Sequence, residues 1–385
     1  MPDAITPSAI IIGAGIGGLS AAIALSRAGW HVSVFEQAEQ LVPMGAALSL
    51  WPNAIDALDA LGLHDPLRRI GEPVDEVALA DPDGTIITSF RVSQCLPGRT
   101  GLMVTRSDLQ AILLAGLGDE ALNLGHRLSG WQADAQGASV QFENGVSARA
   151  DLLVAADGIW SAVAMAVTGV AASHAGYGGL LALSDAVPDH PAQAQGIEHW
   201  AHGERFGQFD IQNNRKYWFF MRNEADASGT AAMTHDAVQK THHWTEPARA
   251  AVAATPVEKL VRFSIHAKPP PRILGKGRII LLGDAAHAME PNLGQGACQA
   301  IEDAVALGAA ARKGDAEAVL PAYQRMRLKR VRQFVSLSRQ GSMVAHRAPR
   351  WQMAVARFFM RTIFGPLTPF QIRRLYRLPD YESMA

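Results

Sequence analysis

The chain opens on a short apolar run, Ala9-Ile10-Ile11-Ile12, that stops at Gly13. Four successive apolar residues predict a strand covered on both faces, as in a parallel sheet. From Ile16 to Ala28 the apolar residues recur at helical spacing in an alanine-rich stretch, and Gly29 ends it. His31 to Phe35 predicts a second strand, so a strand–helix–strand unit begins at once. Ser139 to Glu143 alternates, and Asn144-Gly145 predicts a tight hairpin turn. The return strand leads into Leu152-Leu153-Val154-Ala155-Ala156, a further buried strand. Arg278 to Leu282 predicts another, followed by a long helix from about Gly294 to Arg312.

Two regions have a different pattern. Asp75 to Arg91 holds strand-like segments around Asp81-Pro82-Asp83-Gly84. Ala171 to Lys268 has aromatic-rich alternation, including Tyr217-Trp218-Phe219-Phe220, and few helical patterns. These separated segments predict one antiparallel sheet. Pro269-Pro270-Pro271 marks the return to the first domain, and beyond Asp315 the chain reads as helices. The expected fold class is α/β: a Rossmann-type nucleotide-binding domain, an inserted antiparallel sheet as substrate domain, and a C-terminal helical region. The boundaries read as 1–72, 101–170 and 275–345 for the first, 73–100 and 171–274 for the second, and 346–385 for the third.

Composition adds limits. The 385 residues are 48% apolar and 18% charged, as in globular proteins, and a net charge of −1 gives no reason to expect nucleic acid. Cys95 and Cys298 stand far apart in no metal-ligand spacing, which predicts free thiols in a reducing, cytoplasmic setting. Met1 to Ser8 has no basic leader pattern, and no run of ~20 apolar residues predicts a spanning helix. The charge is unevenly placed. Ala318 to Pro379 contains Lys329, twelve arginines and no Asp or Glu, a charge of +13 that leaves −14 for the remainder.

Three motifs carry chemistry. Gly13-Ala14-Gly15-Ile16-Gly17-Gly18 fits G-x-G-x-x-G between a strand and a helix. Gly13 allows the tight turn, Gly15 lets backbone approach a pyrophosphate, and Gly18 allows close packing of helix on strand. Glu36 ends the second strand, where it can accept hydrogen bonds from an adenosine ribose. This motif serves NAD and FAD alike. The second motif, Asp151 to Ser161, is a buried strand ending in Asp157-Gly158. The third runs Gly283-Asp284-Ala285-Ala286-His287 and continues through Pro291-Asn292-Leu293-Gly294-Gln295-Gly296. Asp284 lies at a strand's carboxyl end, where open α/β sheets bind ligands. Gly294 to Gly296 open a helix whose dipole favours negative charge.

In these three motifs, at these intervals, nearly the whole chain resembles the group A flavoprotein monooxygenases, which share the para-hydroxybenzoate hydroxylase fold. The resemblance implies FAD and NAD(P)H as cofactors, with Gly13, Gly15, Gly18 and Glu36 on the ADP part of FAD. It implies Asp284, with Gly283 before it, at the ribityl and pyrophosphate region, and Pro291 with Gly294, Gln295 and Gly296 along the isoalloxazine. Asp157 and Gly158 belong to the motif tied to both FAD and nicotinamide. Gly45 and Ala46, within Val42 to Ala47, match the loop beside the flavin ring, and Arg106 matches an arginine near the FAD phosphates. The implied reaction is hydroxylation of a small aromatic or heteroaromatic substrate with molecular oxygen, by way of a C4a-hydroperoxyflavin. The cofactor carries the hard chemistry, and the protein orients substrate and excludes water. Gly45 to Ala54 looks like the urate hydroxylases. The arginine-rich C-terminal helices look more like quinolone hydroxylases and carotenoid epoxidases. A flavin epoxidase or reductase acting on a lipophilic substrate, and a nicotinamide dehydrogenase built on the first motif alone, are the alternatives.

Several residues carry two readings. Ser107 and Gln110 form a capping box, with Ser107 as N-cap, and Gln110 is either a capping residue or a flavin contact. Arg205 and Tyr217, flanking a hairpin at Asn213-Asn214, match an arginine and a tyrosine that contact substrate in the urate-hydroxylase branch. The plainer reading is a surface arginine and a core tyrosine. His287 is expected to be structural and Cys298 inert, and His242-His243 lacks the company of a metal cluster, so no metal is expected. Half of Tyr217 to Phe220 should be core. Glu290 departs from the family's small or uncharged residues: it either reaches the cavity edge, or points to solvent or pairs with an arginine. Urate hydroxylases carry aspartate where this chain has Asn292, which puts urate in doubt. The basic tail is read first as a helical cap whose arginines meet acidic groups, and second as a peripheral membrane contact. The molecule is expected to be a monomer or a homodimer.

Overall fold

The computed structural model describes residues 6–42, 46–118, 121–187, 194–223 and 244–385. Strand β1 (Ser8–Ile12), helix α1 (Ile16–Arg27) and strand β2 (His31–Phe35) open the chain, within a residue of the periodicity reading. Strands β3 (Glu76–Ala80) and β4 (Ile86–Arg91) follow, then helix α2 (Arg106–Leu117) and strand β5 (Leu152–Ala155). Five strands come next: β6 (Ser173–Leu183), β7 (Gly196–Ala201), β8 (Glu204–Ile211), β9 (Arg215–Asn223) and β10 (Val261–Ala267). Strand β11 (Ile279–Leu281) precedes helices α3 (Gly296–Ala311), α4 (Ala316–Ser342), α5 (Arg350–Phe359) and α6 (Gly365–Leu375).

The first sheet sets β11, β5, β1 and β2 side by side in parallel, with short edge strands outside them. β1 after Ser8, β5 and β11 are unbroken apolar runs because helices and loops cover both faces, whereas β2 alternates from an exposed His31. Register matters most here. Ile12 pairs with Phe35 on one side and Ala155 on the other, and Ala155 pairs with Leu281. The residues that follow, Gly13, Glu36, Ala156 and Leu282, therefore emerge along one edge. Helix α1 packs against α3 across this domain, and their shared contact is alanine and glycine: a Cβ on Gly308 would lie 3.0 Å from that of Ala24.

The second sheet has the order β10-β6-β9-β8-β7-β3-β4. It gathers the separated segments as the alternation predicts, with one difference: β7 and β3 run parallel, while the other five pairings are antiparallel. The reason is connectivity, since β3 and β7 belong to segments about a hundred residues apart and meet by tertiary packing, not through a hairpin. Asn213 and Asn214 both take positive φ in the β8–β9 turn, as asparagine tolerates. Along β9 the aromatic run divides as period two requires. Trp218 and Phe220 pack with Phe206, Leu180 and the helix Glu246–Ala253, while Tyr217 and Phe219 face the opposite side.

Among the described residues, no helix is long and apolar enough to cross a membrane.

Candidate active site

The edge formed by the parallel strands carries the glycine motif. Gly13 has φ +103°, and a Cβ there would lie 2.5 Å from the Ala156 carbonyl oxygen. A Cβ on Gly18 would lie 1.9 Å from the Gly13 carbonyl oxygen, so only glycine lets α1 start this close to the strand. Gly15 is the opposite case: nothing lies within 4 Å of the position its Cβ would take, and it lines an open cavity. Its backbone is bare toward a ligand. Glu36 holds this loop, accepting from the Ala14 N–H at 2.9 Å and the Ala38 N–H at 3.0 Å. Gln110 donates to the Ala14 carbonyl at 3.3 Å. Helix α2 begins two residues earlier than the capping box implied. Thr105 is its N-cap, accepting from the Asp108 N–H at 3.1 Å, because the preceding strand runs to Thr105 and passes straight into the helix. Gln110 is thus freed from capping and braces the glycine loop.

Gly283 and Asp284 are held from behind. The Gly283 N–H donates to Asp303 Oδ2 at 3.0 Å, and the same carboxylate meets His287 Nε2 at 2.5 Å and Arg327 Nε at 2.7 Å. Arg327 also donates to Glu302 at 2.6 Å and to Tyr381 at 2.6 Å. Asp303, Glu302, His287 and Arg327 are fully buried. Burial by itself would raise the Asp303 pKa, but His287 and Arg327 overcome it and hold the carboxyl down to about 2. His287 is structural, as expected, and this network lets Asp284 point freely into the cavity. Asp303, Arg327 and Tyr381 had no signal in local spacing, because they arrive from α3, α4 and the C-terminal end.

The residues fit FAD on observations of this chain. Asp157 Oδ1 and Trp51 Nε1 are buried without a hydrogen-bond partner in the protein, and burial raises the Asp157 pKa. Gly158 and Gly296, like Gly15, have empty space where a Cβ would stand. Gly294 has φ +59°, and a Cβ there would lie 2.5 Å from Ser49 Oγ. The side chain of Gln295 is turned away into an amide network with Asn53 and Gln299, so its backbone is what the cavity meets. Lys268 donates to the Ala285 carbonyl at 2.8 Å; burial lowers its pKa while Asp157 and Asp284 oppose the shift. When bound, FAD supplies the redox chemistry, accepting hydride from NAD(P)H and activating oxygen.

A cavity of about 670 Å³ joins this edge to the second sheet. Gly15, Ala46, Arg106, Gly158, Tyr217, Gly283, Asp284, Pro291, Gly294, Gln295 and Gly296 all line it. Gly13, Gly18, Glu36, Gln110 and Asp157 stand behind that lining. Gly45, with Pro43 and Met44, lies outside the described residues, as do His242 and His243. The far wall is Phe209, Tyr217, Phe219 and Met221, with Ile372 of α6 and Tyr376 just beyond its end closing one side. Burial pushes the Tyr217 hydroxyl pKa up, so it is a neutral donor.

Arg205 corrects the plainer expectation, for it is buried and not a surface residue. It also stands behind the lining. It donates to Glu198 at 2.5 Å and to the Asn292 side chain, and sits 5.3 Å from the Trp200 ring centre. Glu198 and Trp200 are the residues that face the cavity. Period-two alternation along β7 places them on one face, but nothing in the sequence says which face meets the flavin edge.

Glu290 does not point to solvent. It is buried, accepts from the Tyr177 hydroxyl at 2.9 Å, and lies 4.0 Å from Arg347. Its neighbours Met289 and Pro291 line the cavity while its own side chain turns away. Tyr177 stacks on His346 at 4.0 Å between ring centres. Burial, then Arg205 and Arg347, hold the His346 pKa down to about 3, so it is neutral. Cys298 is buried with its thiol pushed up to about 12, which makes it inert. Several tail arginines meet acids, as the cap reading expects: Arg327 and Arg330 at Glu302, and Arg357 and Arg361 at Asp81.

Comparison with known proteins agrees with this geometry. The family model for the FAD binding domain matches residues 6–338. The chain is 35% identical over 349 residues to the FAD-dependent urate hydroxylase of Klebsiella pneumoniae, covering 88% of this chain and 90% of that protein. It is also 35% identical over 356 residues to the aurachin C monooxygenase/isomerase of Stigmatella aurantiaca, covering 90% and 91%. The crystal structure of Klebsiella pneumoniae HpxO with FAD and uric acid superposes with a TM-score of 0.87 at 31% identity, covering 96% of each chain. With a glycine-lined edge that fits FAD and an inserted sheet closing a cavity over it, the chain belongs to the FAD binding domain family and is an FAD-dependent monooxygenase with the group A flavoprotein fold.

Proposed function

We propose that this enzyme hydroxylates a small electron-rich aromatic or heteroaromatic ring that carries an N–H or O–H donor and no carboxylate. The observation that carries this reading is the charge inventory of the cavity. Among the described residues its charged lining is Arg106, Asp284 and Glu198. Arg106 and Asp284 are the residues the family resemblance gives to FAD. Glu198 is left at the substrate end, beside aromatic and aliphatic side chains. The buried cation behind it, Arg205, is already engaged by Glu198 and Asn292. A substrate carboxylate would face Glu198 with no free cation among the described lining residues to offset it, at a cost that rises in a low-dielectric site. A ring N–H or O–H would instead donate to Glu198, and that hydrogen bond would raise electron density on the ring carbon to be hydroxylated. Tyr217 would fix the ring's orientation from the facing strand. The apolar walls keep water from the reacting edge.

The relatives act, by their names, on urate and on aurachin C. Neutral Asn292 beside Arg205 favours a substrate less polar than urate. On this reading the enzyme takes NAD(P)H and molecular oxygen, Pro291 lines the flavin face, and the glycine loops with Glu36, Gln110, Asp157 and Asp284 hold FAD. The domain limits 1–72, 73–100, 101–170, 171–274, 275–345 and 346–385 describe how the two sheets and the tail divide the work. The tail also has the character of a peripheral membrane contact.

The test is a panel of urate, 4-hydroxyquinoline and salicylate with the purified holoenzyme, scored by stimulated NAD(P)H oxidation and by hydroxylated product. Stimulation by 4-hydroxyquinoline or urate, with salicylate inert, is the expected result. Salicylate as the best of the three would overturn the reading.

A further inference from the structure

Helix α5 presents its apolar side outward. Trp351, Val355 and Phe358 recur at helical spacing and are 65%, 47% and 63% exposed. Ile363, Leu367 and Phe370, the last 73% exposed, continue the surface onto α6. The inward side of α5 buries Met353 and is held by Arg357, which lies 2.9 Å from Asp81 Oδ1 and donates to the Trp200 carbonyl at 2.6 Å. A surface helix in a water-soluble protein buries its apolar stripe and shows its polar one. Here Trp351, Val355 and Phe358 face outward instead, and contiguous exposed apolar surface of this kind marks an interaction site. Arg350, Arg373 and Arg374 are exposed on the same two helices, within a stretch that holds no acidic residue from Ala318 to Pro379.

The opposite face of α6 reaches the cavity. Thr368 and Ile372 of α6, with Tyr376 just past its end, line it at four-residue spacing. One helix therefore separates the outward apolar surface from the candidate substrate site.

We infer that this face docks on an anionic membrane surface and that α6 forms the portal by which a lipophilic substrate passes from the bilayer edge into the cavity. Charge selects the occupant. A two-fold pair of these chains joined here would set Arg350, Arg373 and Arg374 against their own copies, whereas anionic headgroups complement them and the apolar side chains enter the acyl boundary. The docking half stands on the exposed face alone; the portal half rests on the proposed function of the cavity.

The docking test is flotation of the holoenzyme with vesicles of equal parts phosphatidylglycerol and phosphatidylcholine, against phosphatidylcholine alone. Co-flotation with the anionic vesicles at low salt, reversed by salt, is expected. A Trp351→Ser, Phe358→Ser, Phe370→Ser variant should lose at least about tenfold of that binding with flavin content and melting midpoint unchanged. An Arg373→Gln, Arg374→Gln variant should bind more weakly and with less salt dependence. No co-flotation of the native enzyme overturns the docking. So does a dimer in sedimentation that the triple variant dissociates, since the face would then serve a second copy. For the portal, anionic vesicles carrying a long-chain alkyl 4-hydroxyquinoline should drive NAD(P)H oxidation several-fold faster in the native enzyme than in the triple variant, with soluble 4-hydroxyquinoline turned over equally by both. Equal rates on both substrates overturn the portal. Failure of both substrates with flotation intact overturns the proposed function and leaves the docking face standing.

Discussion

Replacing Arg327 with methionine keeps much of the side chain's length and removes the cation that joins α3, α4 and the C-terminal end. Breaking a buried ion pair from one side costs about 3–5 kcal/mol, because the partner charge is left uncompensated. Here the lower end applies. Asp303 keeps His287 at 2.5 Å, and Glu302 keeps Arg330 at 2.7 Å. An unfolding entropy of about 2.1 cal/mol/K per residue over a chain this long makes ~3 kcal/mol a fall of roughly 4 °C in melting midpoint. The pH dependence is the sharper signature. In the native protein Asp303 is held at about 2, below the ordinary 3.8, and Glu302 is lowered from 4.5. Their stabilisation is therefore complete above the ordinary values and is lost as pH falls through the lowered ones. Without Arg327, burial is opposed by fewer charges, His287 at Asp303 and Arg330 at Glu302, so both carboxyl pKa values move up from their native positions. The variant's deficit should then be largest at neutral pH and shrink as pH falls toward 5, where protonation relieves the buried charge. Differential scanning fluorimetry of R327M and native holoenzyme at pH 7.5 and pH 5 measures this. A midpoint within about 1 °C of native at pH 7.5, or a deficit that does not narrow at pH 5, would show that the network does not hold the Gly283-Asp284 turn in the way described.

Gly18→Ala should purify with little flavin, because its Cβ would meet the Gly13 carbonyl oxygen at 1.9 Å; flavin absorbance per protein reads this directly, and full occupancy would refute the close approach. Glu36→Ala and Asp284→Ala should each weaken FAD retention by roughly 1.5–3 kcal/mol, the worth of a hydrogen bond to a charged group, and Glu36→Ala the more, since it also frees the Ala14 N–H. Flavin release on dilution compares them, and retention of native affinity by both would remove the site assignment. Glu198→Gln should keep its flavin while lowering the fraction of NAD(P)H oxidation that yields hydroxylated product; an unchanged fraction would take Glu198 out of substrate orientation.

The placement of Arg205, Glu198 and Glu290 shows where residue-type reasoning reaches its limit. Arg205 stands out in the sequence because it matches a substrate-contacting arginine of the urate hydroxylases, and Glu290 because a charge directly precedes Pro291, where the family carries small or uncharged residues. Whether such a charge faces the cavity depends on side-chain direction and on partners from distant segments: Asn292 and Glu198 for the first, Tyr177 and Arg347 for the second. Glu198 has no motif around it, and only the pairing of β7 between β8 and the distant β3 turns it toward the cavity.

By itself, the sequence determined what is encoded by local pattern. Apolar runs and helical spacing placed β1, α1, β2, β5 and α3 within a residue or two, because burial on both faces or on one stripe dictates which residues can occupy those positions. The glycine motif fixed the bare turn before α1, because steric clash admits nothing larger at Gly13 and Gly18. Tertiary structure alone decided the parallel β3–β7 pairing, the buried Asp303–Arg327 network, and the outward apolar face of α5. Each of these depends on groups brought together from far apart in the chain, and their energies come from desolvation and charge pairing that exist only after the segments have met.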